Sequence, residues 1–279
     1  MKITDMTTIS SKDNPRLKLA RQVRDGRDKE GIFVEGARLS SELLKSHVKA
    51  EAIFVSDDTA AKIDELAGEL QRSTGAEVNW VVSKVFDSIT DTDNSQGIIV
   101  LARRPQTAWI AGQNVAQGLL IFLSRINNPS NLGAVVRTAE ASGAAGILIS
   151  PASADPFSPK ALRASMGSAF RLPIYCDVPL EEAAQFAREN GIKMIAADVK
   201  AARSYTEVDW RPPIMLVFGS EAHGLDDLEL SLVDEKVFIP MENDVESLNL
   251  AVSAGILLFE AKRQRQIGND PIARAPANL

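Results

Sequence analysis

The sequence predicts an α/β protein built in two parts, and three observations carry that reading. Short apolar runs of strand length alternate with helix-length amphipathic segments along most of the 279 residues. The alternation breaks once, over RRPQTAWIAGQNVAQ, where Pro and Gly interrupt a stretch with no sustained period. Near the C-terminus the residues from Leu248 to Phe259 are almost all apolar and form one helix, which is expected to be a buried core element. That helix falls short of the roughly 20 apolar residues a membrane span needs. The expected division is a first domain over 1–103, a linker over 104–117, a second domain over 118–265 and a loose tail over 266–279.

In the first part the helical pattern runs from Asn14 to about Val23 with basic residues outward, and GIFVEG (31–36) is a strand closed by glycine. A helix over Ala37 to Ser46, a strand over Ala52 to Val55, a helix over Thr59 to Gln71 and strands over Val78 to Val82 and Gly97 to Ala102 complete a small layered α/β domain. In the second part LLIFLS from Leu119 is a buried strand. Pro129 then lies in a polar loop, and a helix capped by Asn131 runs to Ser142 before Gly143. GILIS (146–150) is a strand, and Ser158-Pro159 opens a helix to about Met166. RLPIYC, a helix over Leu180 to Asn190, then KMIAAD, PIMLVFG and VFIP extend the series into an open, mainly parallel sheet covered on both faces.

Composition narrows the function classes. A single cysteine, Cys176, excludes an intramolecular disulfide and, with no apolar N-terminal leader, points to the cytoplasm. With only His47, His223 and Cys176 available, a His/Cys zinc site is not expected, and no metal is assigned. The net charge of −6 weighs against nucleic acid, yet Lys12, Arg16, Lys18, Arg21, Arg24, Arg27 and Lys29 gather in one opening segment. Such a segment is either an RNA-binding arm or a solvated charged helix. No G-x-G-x-x-G follows a strand, no Walker loop is present, and there is no G-x-S-x-G elbow.

Three polar clusters each follow an apolar strand. The first, INNPSNLGAVVRTAEASGA (126–144), carries Asn131 and Arg137, with Gly133 and Ala141 four residues to either side of the arginine. Arg137 either meets a ligand or pairs with Glu140 at the surface. The second, LVFGSEAHGL (216–225), uses Gly219 and Gly224 to expose Ser220 and Glu221, while His223 is an ordinary turn residue. The third, IPMENDVESLN (239–249), sets Ser247 and Asn249 at the mouth of the apolar helix, where a serine side chain can cap free N–H groups. Clusters at the carboxyl ends of strands in one sheet converge on one crevice.

NLGAVVRTAEASGA, LVFGSEAHGL and IPMENDVESLNLAVSAGILLFE, in this order, resemble the motifs of the SpoU-type, or TrmH-like, RNA ribose 2′-O-methyltransferases of the SPOUT class. SPKALRASMGSAFRLPI also looks like a segment of that family, and DNPRLKLA and FVEGARL resemble its ribosomal-protein-like substrate-binding domain. The resemblance implies a C-terminal trefoil knot, a homodimer, and S-adenosylmethionine held around Gly219, Ile239, Pro240, Met241 and Leu248. It implies a catalytic constellation of Asn131, Arg137, Glu221, Ser247 and Asn249. RNA contacts are expected from Arg16, Lys18 and Arg38, with Lys160 and Arg163 nearer the site. Ribosomal RNA is favoured over transfer RNA because a separate presenting domain precedes the catalytic one. The alternatives are a transfer RNA 2′-O-methyltransferase and a non-catalytic RNA-binding or ribosome-assembly factor on the same fold. One departure stands out: Asn128-Pro129 occupies a position that is often Asp-Pro, and Ser124-Arg125 replaces a commonly acidic start.

Overall fold

The computed structural model describes residues 8–107, 118–243 and 245–267. Most of the expected linker and nearly all of the expected tail lie outside the described residues. The chain forms two compact units: one runs to Gln106 and takes in Asp155–Arg171, and the other comprises Thr107–Ala154 and the chain from Leu172 onward.

The first unit is built from α1 (Pro15–Arg24), β1 (Gly31–Glu35), α2 (Ala37–Leu44), β2 (Ala50–Ser56), α3 (Ala61–Thr74), β3 (Glu77–Val81), α4 (Ser83–Phe86) and β4 (Ile98–Arg103). Asn14 caps α1 by accepting the Arg16 N–H, and Pro15 takes the first helical position, where its missing N–H costs nothing. The four strands form a mixed sheet in the order β1-β4-β2-β3, in which only β2 and β3 run parallel. Leu17, Ala20 and Val23 of α1 recur at helical spacing and pack with Phe33, Phe54, Phe86 and Ile99 in one fully buried cluster.

Segment 155–171 is a difference from the sequence reading, which placed it inside the 118–265 domain. It packs within the first unit through specific charge pairs. Arg104 grips Asp155 with two bonds of 2.7 and 2.9 Å, Arg163 reaches Asp91 at 2.6 Å, and Arg171 reaches Glu42 at 2.8 Å. These pairs bridge 51, 72 and 129 residues of sequence, a separation at which local periodicity carries no signal.

The second unit contains β5 (Leu119–Leu123), α5 (Pro129–Ser142), β6 (Gly146–Ile149), β7 (Ile174–Tyr175), α7 (Leu180–Glu189), β8 (Lys193–Ala197), β9 (Arg203–Ser204), β10 (Ile214–Phe218), α8 (Asp227–Ser231), β11 (Glu235–Phe238) and α9 (Leu250–Ile267), while the intervening α6 (Pro159–Ser165) belongs to the first. Its seven strands pair in parallel throughout, in the order β7-β6-β5-β10-β8-β11-β9. Strands β5 and β10 are buried at every position, as a parallel sheet covered on both faces requires. Leu120 and Phe122 pack with Phe186 and Ala183 of α7, so the alternate residues of β5 face the opposite layer. The strand order reverses at β5: β6 and β7 lie to one side, and β10 and the rest lie to the other. A reversal of this kind leaves a crevice at the carboxyl ends of the two central strands, which is where open α/β sheets bind ligands.

The expected burial of α9 needs correction. Leu257, Leu258 and Ala261 are fully buried, but Val252 is 50% and Phe259 48% exposed. One face of the helix is apolar and, among the described residues, half-exposed, with only the Lys262 ammonium lying over the Phe259 ring.

Candidate active site

The site is assembled by the segments that leave β5, β10 and β11. After β5, α5 begins two residues earlier than the sequence suggested. Asn128, not Asn131, is the cap, its side chain accepting the Ser130 N–H at 2.9 Å, and Pro129 is the first helical residue rather than part of the loop. Asn131 is therefore released from capping and presents its amide from the first turn of α5.

After β10 the chain closes a tight loop. Ser220 N–H donates to the Gly224 carbonyl at 3.1 Å and Gly224 N–H to the Ser220 carbonyl at 2.8 Å, with Gly224 at φ +66°. The Ser220 hydroxyl also accepts the His223 N–H at 3.3 Å. Gly219 is required for space: a Cβ there would stand 2.2 Å from the Gly224 carbonyl carbon and 2.4 Å from the Leu225 nitrogen. The loop exposes Glu221 at its tip.

Between β11 and α9 the described residues form no regular element, and Asn249 caps α9 by accepting the Ala251 N–H at 2.9 Å. Ser247, the side chain proposed for capping, is exposed and makes no hydrogen bond among the described residues. Its hydroxyl is thus free for a ligand.

Asn131 joins the three segments. Its Nδ2 donates to Glu221 Oε1 at 2.6 Å, and its Oδ1 accepts Asn249 Nδ2 at 3.2 Å. The amide is thereby held at both ends, with the polar atoms assigned by complementary partners. Arg137 lies on the same helix, exposed and without a hydrogen bond or ion pair among the described residues, Glu140 included. Gly133, four residues before it, is buried, so only Ala141 flanks the guanidinium at the surface.

Replacing Asn131 by Asp keeps the acceptor for Asn249 but sets an oxygen against the Glu221 carboxylate. Because Glu221 is exposed, screening limits the repulsion, and Asn131→Asp is expected to lower turnover about tenfold, or ~1.4 kcal/mol. Adding Glu221→Gln restores a donor across the pair and should recover most of that loss, measured as kcat of the single and double variants.

The residues named for the cofactor lie at the carboxyl ends of the same strands. Ile239, Met241 and Leu248 are partly exposed, and Pro240 is exposed; all four lie between β11 and α9. Main-chain donors and acceptors beside apolar side chains suit a neutral purine ring carried on a polar ribose. The described residues hold no cluster of three or more His, Cys, Asp or Glu able to bind a metal.

The five residues named for RNA divide into two groups. Arg16 is engaged by Glu77 at 2.7 Å and by Asn79, Lys18 by Asp13 at 3.2 Å, and Arg163 by Asp91, so these three have intramolecular partners. Arg38 and Lys160 are exposed and unpaired among the described residues.

Sequence reasoning missed one network, and the unusual Ser124-Arg125 pair belongs to it. Asp226 and Glu229 form a reciprocal capping box at the start of α8, the D-x-x-E spacing being its sequence signature. Both carboxylates also bind Arg125, and Glu229 accepts the Ser124 hydroxyl. Accepting the Glu229 N–H, and then the Arg125 guanidinium, holds the Asp226 carboxyl below its usual range.

Comparison with known proteins agrees with this arrangement. The sequence profile of the SpoU rRNA Methylase family matches residues 118–259, and that of the MRM3-like substrate binding domain matches residues 6–100. An uncharacterized tRNA/rRNA methyltransferase of Synechocystis is 31% identical over 277 residues, covering 96% of this chain and 98% of the relative. The 23S rRNA (guanosine(2553)-2′-O)-methyltransferase RlmP of Bacillus subtilis is 27% identical over 92% of this chain and 100% of its own length. The AdoMet-bound rRNA methyltransferase of Sinorhizobium meliloti has the same fold, with a TM-score of 0.80 at 28% identity over 92% of this chain and 98% of that one. With its three site segments meeting at Asn131 and the profile spanning those segments, the chain belongs to the SpoU rRNA methylase family.

Proposed function

We propose that this protein transfers the methyl group of S-adenosylmethionine to a ribose 2′-hydroxyl of RNA, with ribosomal RNA ahead of transfer RNA as substrate. The observation that carries the reading is the Asn131 junction, which draws Glu221 and Asn249 together at the strand-order reversal. The RNA 2′-O-methyl activity in the name of the Bacillus relative and the ligand of the Sinorhizobium structure support the same chemistry. The run 239–241, Leu248 and the backbone at Gly219 would hold S-adenosylmethionine, which when bound supplies an electrophilic sulfonium methyl. In keeping with the family resemblance, the chain there follows a trefoil-knotted path.

The residues of the chain do the rest by placement. Asn131 fixes the Glu221 carboxylate and the start of α9 relative to each other, which orients the acceptor hydroxyl in a preformed site. Ser247 offers a free hydroxyl to the same crevice. A guanidinium is a fork of donors with no acceptor and a poor base, so the task assigned to Arg137 is to anchor a phosphate and stabilise the alkoxide that develops at the attacking oxygen.

A homodimer is part of this reading. Val252 and Phe259, seven residues apart with half-buried Ile256 between them, form an apolar stripe on α9 that a second copy would cover. Arg137 then serves the site of its partner. No helix among the described residues is long and apolar enough to cross a membrane. A cytoplasmic location belongs to the same proposal, and an RNA substrate supports it.

Two measurements bear on the reading. Calorimetric titration is expected to show S-adenosylmethionine binding and no nicotinamide dinucleotide binding; absence of the first would contradict the assignment. Arg38 and Lys160, exposed and unpaired among the described residues, are the RNA contacts expected to matter. Arg38→Ala with Lys160→Ala should make the log–log salt dependence of RNA affinity shallower by about 1.4, or ~0.7 per lost phosphate contact on a single strand. An unchanged slope would remove both residues from the RNA surface. These substitutions are preferable to deleting 1–103, because segment 155–171 packs with the first unit and would lose its partners.

A further inference from the structure

The loop between β5 and α5 is pinned from several directions. Ser124 N–H donates to the Phe218 carbonyl at 2.8 Å, Arg125 N–H to the Ser150 hydroxyl at 2.8 Å and Ile126 N–H to the Ser153 hydroxyl at 3.2 Å. Arg125 adopts φ +53°, a left-handed conformation that an L-residue with a side chain takes at a cost of about 1 kcal/mol. The backbone turn directs its guanidinium toward α8. There Nη2 meets Glu229 Oε2 at 2.6 Å and Nη1 meets Asp226 Oδ2 at 3.2 Å. Glu229 is 9% exposed, and its carboxylate accepts from Ser124 Oγ, Arg125 Nη2 and the Asp226 N–H together.

The position of these contacts gives them a consequence at the active site. Arg125 lies three residues before the α5 cap Asn128, and Asp226 lies two residues after Gly224, which closes the Glu221 loop. The bridge therefore ties the entry to the Asn131 helix to the exit from the Glu221 loop. No hydrogen bond within either segment alone fixes the distance between them; the Asn131–Glu221 bond spans 90 residues and joins two exposed or half-exposed side chains. Even with a charged acceptor a bond of that kind is worth about 1.5–3 kcal/mol, less where water and salt screen it, and a single such contact does not hold a loop by itself.

We propose that Arg125 is a positioning residue for methyl transfer: by bridging Glu229 and Asp226 it sets the Glu221 loop against α5, so that Glu221 meets Asn131. This rests on the proposed function for the reaction it serves, and on geometry alone for the clamp. Beside the Ser124 contacts to Phe218 and Glu229, the charge-assisted bonds from Arg125 to the nearly buried Glu229 and to Asp226 are what join the two segments. Arg125→Met keeps the length of the stem and removes both bridges.

Amide hydrogen exchange reads the clamp without turnover. In Arg125→Met the Ser220 and Gly224 amides are expected to exchange at least tenfold faster, while amides of β5 and β10 keep their protection. Unchanged exchange at Ser220 and Gly224 overturns the clamp whatever the activity. In methyl transfer the same variant is expected to lose about tenfold in kcat with the KM for S-adenosylmethionine retained, and to cause no further loss in a Glu221→Ala background. Multiplying effects in the double variant would also overturn it, since they would show that Arg125 acts through something other than Glu221. Should Arg125→Met fail to fold, Arg125→Lys, which keeps one charge but not the two-pronged bridge, takes its place with the same two readouts. Wild-type protein that transfers no methyl group would refute the proposed function and leave the exchange result to decide the clamp.

Discussion

Arg137→Ala is expected to lower kcat for RNA methylation about 10²–10³-fold while S-adenosylmethionine binds as tightly as before. The expectation follows from two features of the residue. Arg137 is exposed on α5 and makes no hydrogen bond or ion pair among the described residues, so its removal breaks no polar contact among them. The melting temperature should stay within a degree or so of the wild type. The reaction, by contrast, places negative charge on an attacking oxygen, and removing one preorganised donor from such a centre costs about 3–4 kcal/mol. Lysine at this position would restore the charge but not the planar fork that grips a phosphate, and is expected to recover only part of the rate. Undiminished turnover in Arg137→Ala would sink the assigned role.

Gly219→Ala is expected to fail differently, losing cofactor binding, turnover and stability together. The added methyl group would sit 2.2 Å from one backbone carbon and 2.5 Å from the Gly224 carbonyl oxygen, whereas nonbonded carbons rest at about 3.5–4.0 Å. Backbone cannot swing aside as a side chain can. The loop must open, breaking the paired Ser220–Gly224 bonds, and the cost is put at about 3 kcal/mol. For a chain of this size that corresponds to a fall in melting temperature on the order of 6–12 °C. A variant that melts like the wild type and still binds S-adenosylmethionine would show that the loop is looser than its geometry requires. Gly219 was named from the sequence for contact with the cofactor. The structure gives it a prior role, the closure of the loop that carries Glu221.

Much of the architecture was legible because buried parallel strands are written as continuous apolar runs. LLIFL, GILI and IMLVF declare themselves, and the helices between them carry period and caps. Two-residue β9 and short α4 and α8 were missed because a few residues hold too little periodicity to register. The starts of α5 and α9 were displaced for a chemical reason. Asn128 and Asn131 are both competent caps, as are Ser247 and Asn249, and only the folded chain decides which side chain caps and which is left for the site. The exposed stripe on α9 was hidden by the same logic: a helix apolar all round is either buried in one chain or shared between two, and composition does not distinguish them. The contacts that couple distant segments, Asn131 to Glu221 and Arg125 to Glu229, span 90 and 104 residues. One sequence contains the partners but not the pairing.

Methyl transfer to a ribose hydroxyl is measured by incubating the protein with tritiated S-adenosylmethionine and RNA from cells lacking it, naked and as ribosomal subunits. The RNA is fractionated by size and hydrolysed in alkali, which cleaves every linkage whose 2′-oxygen is free. Label in one class of ribosomal RNA, retained in a single alkali-resistant dinucleotide, is the predicted result. Label released as mononucleotide would place the methyl group on a base and contradict the account.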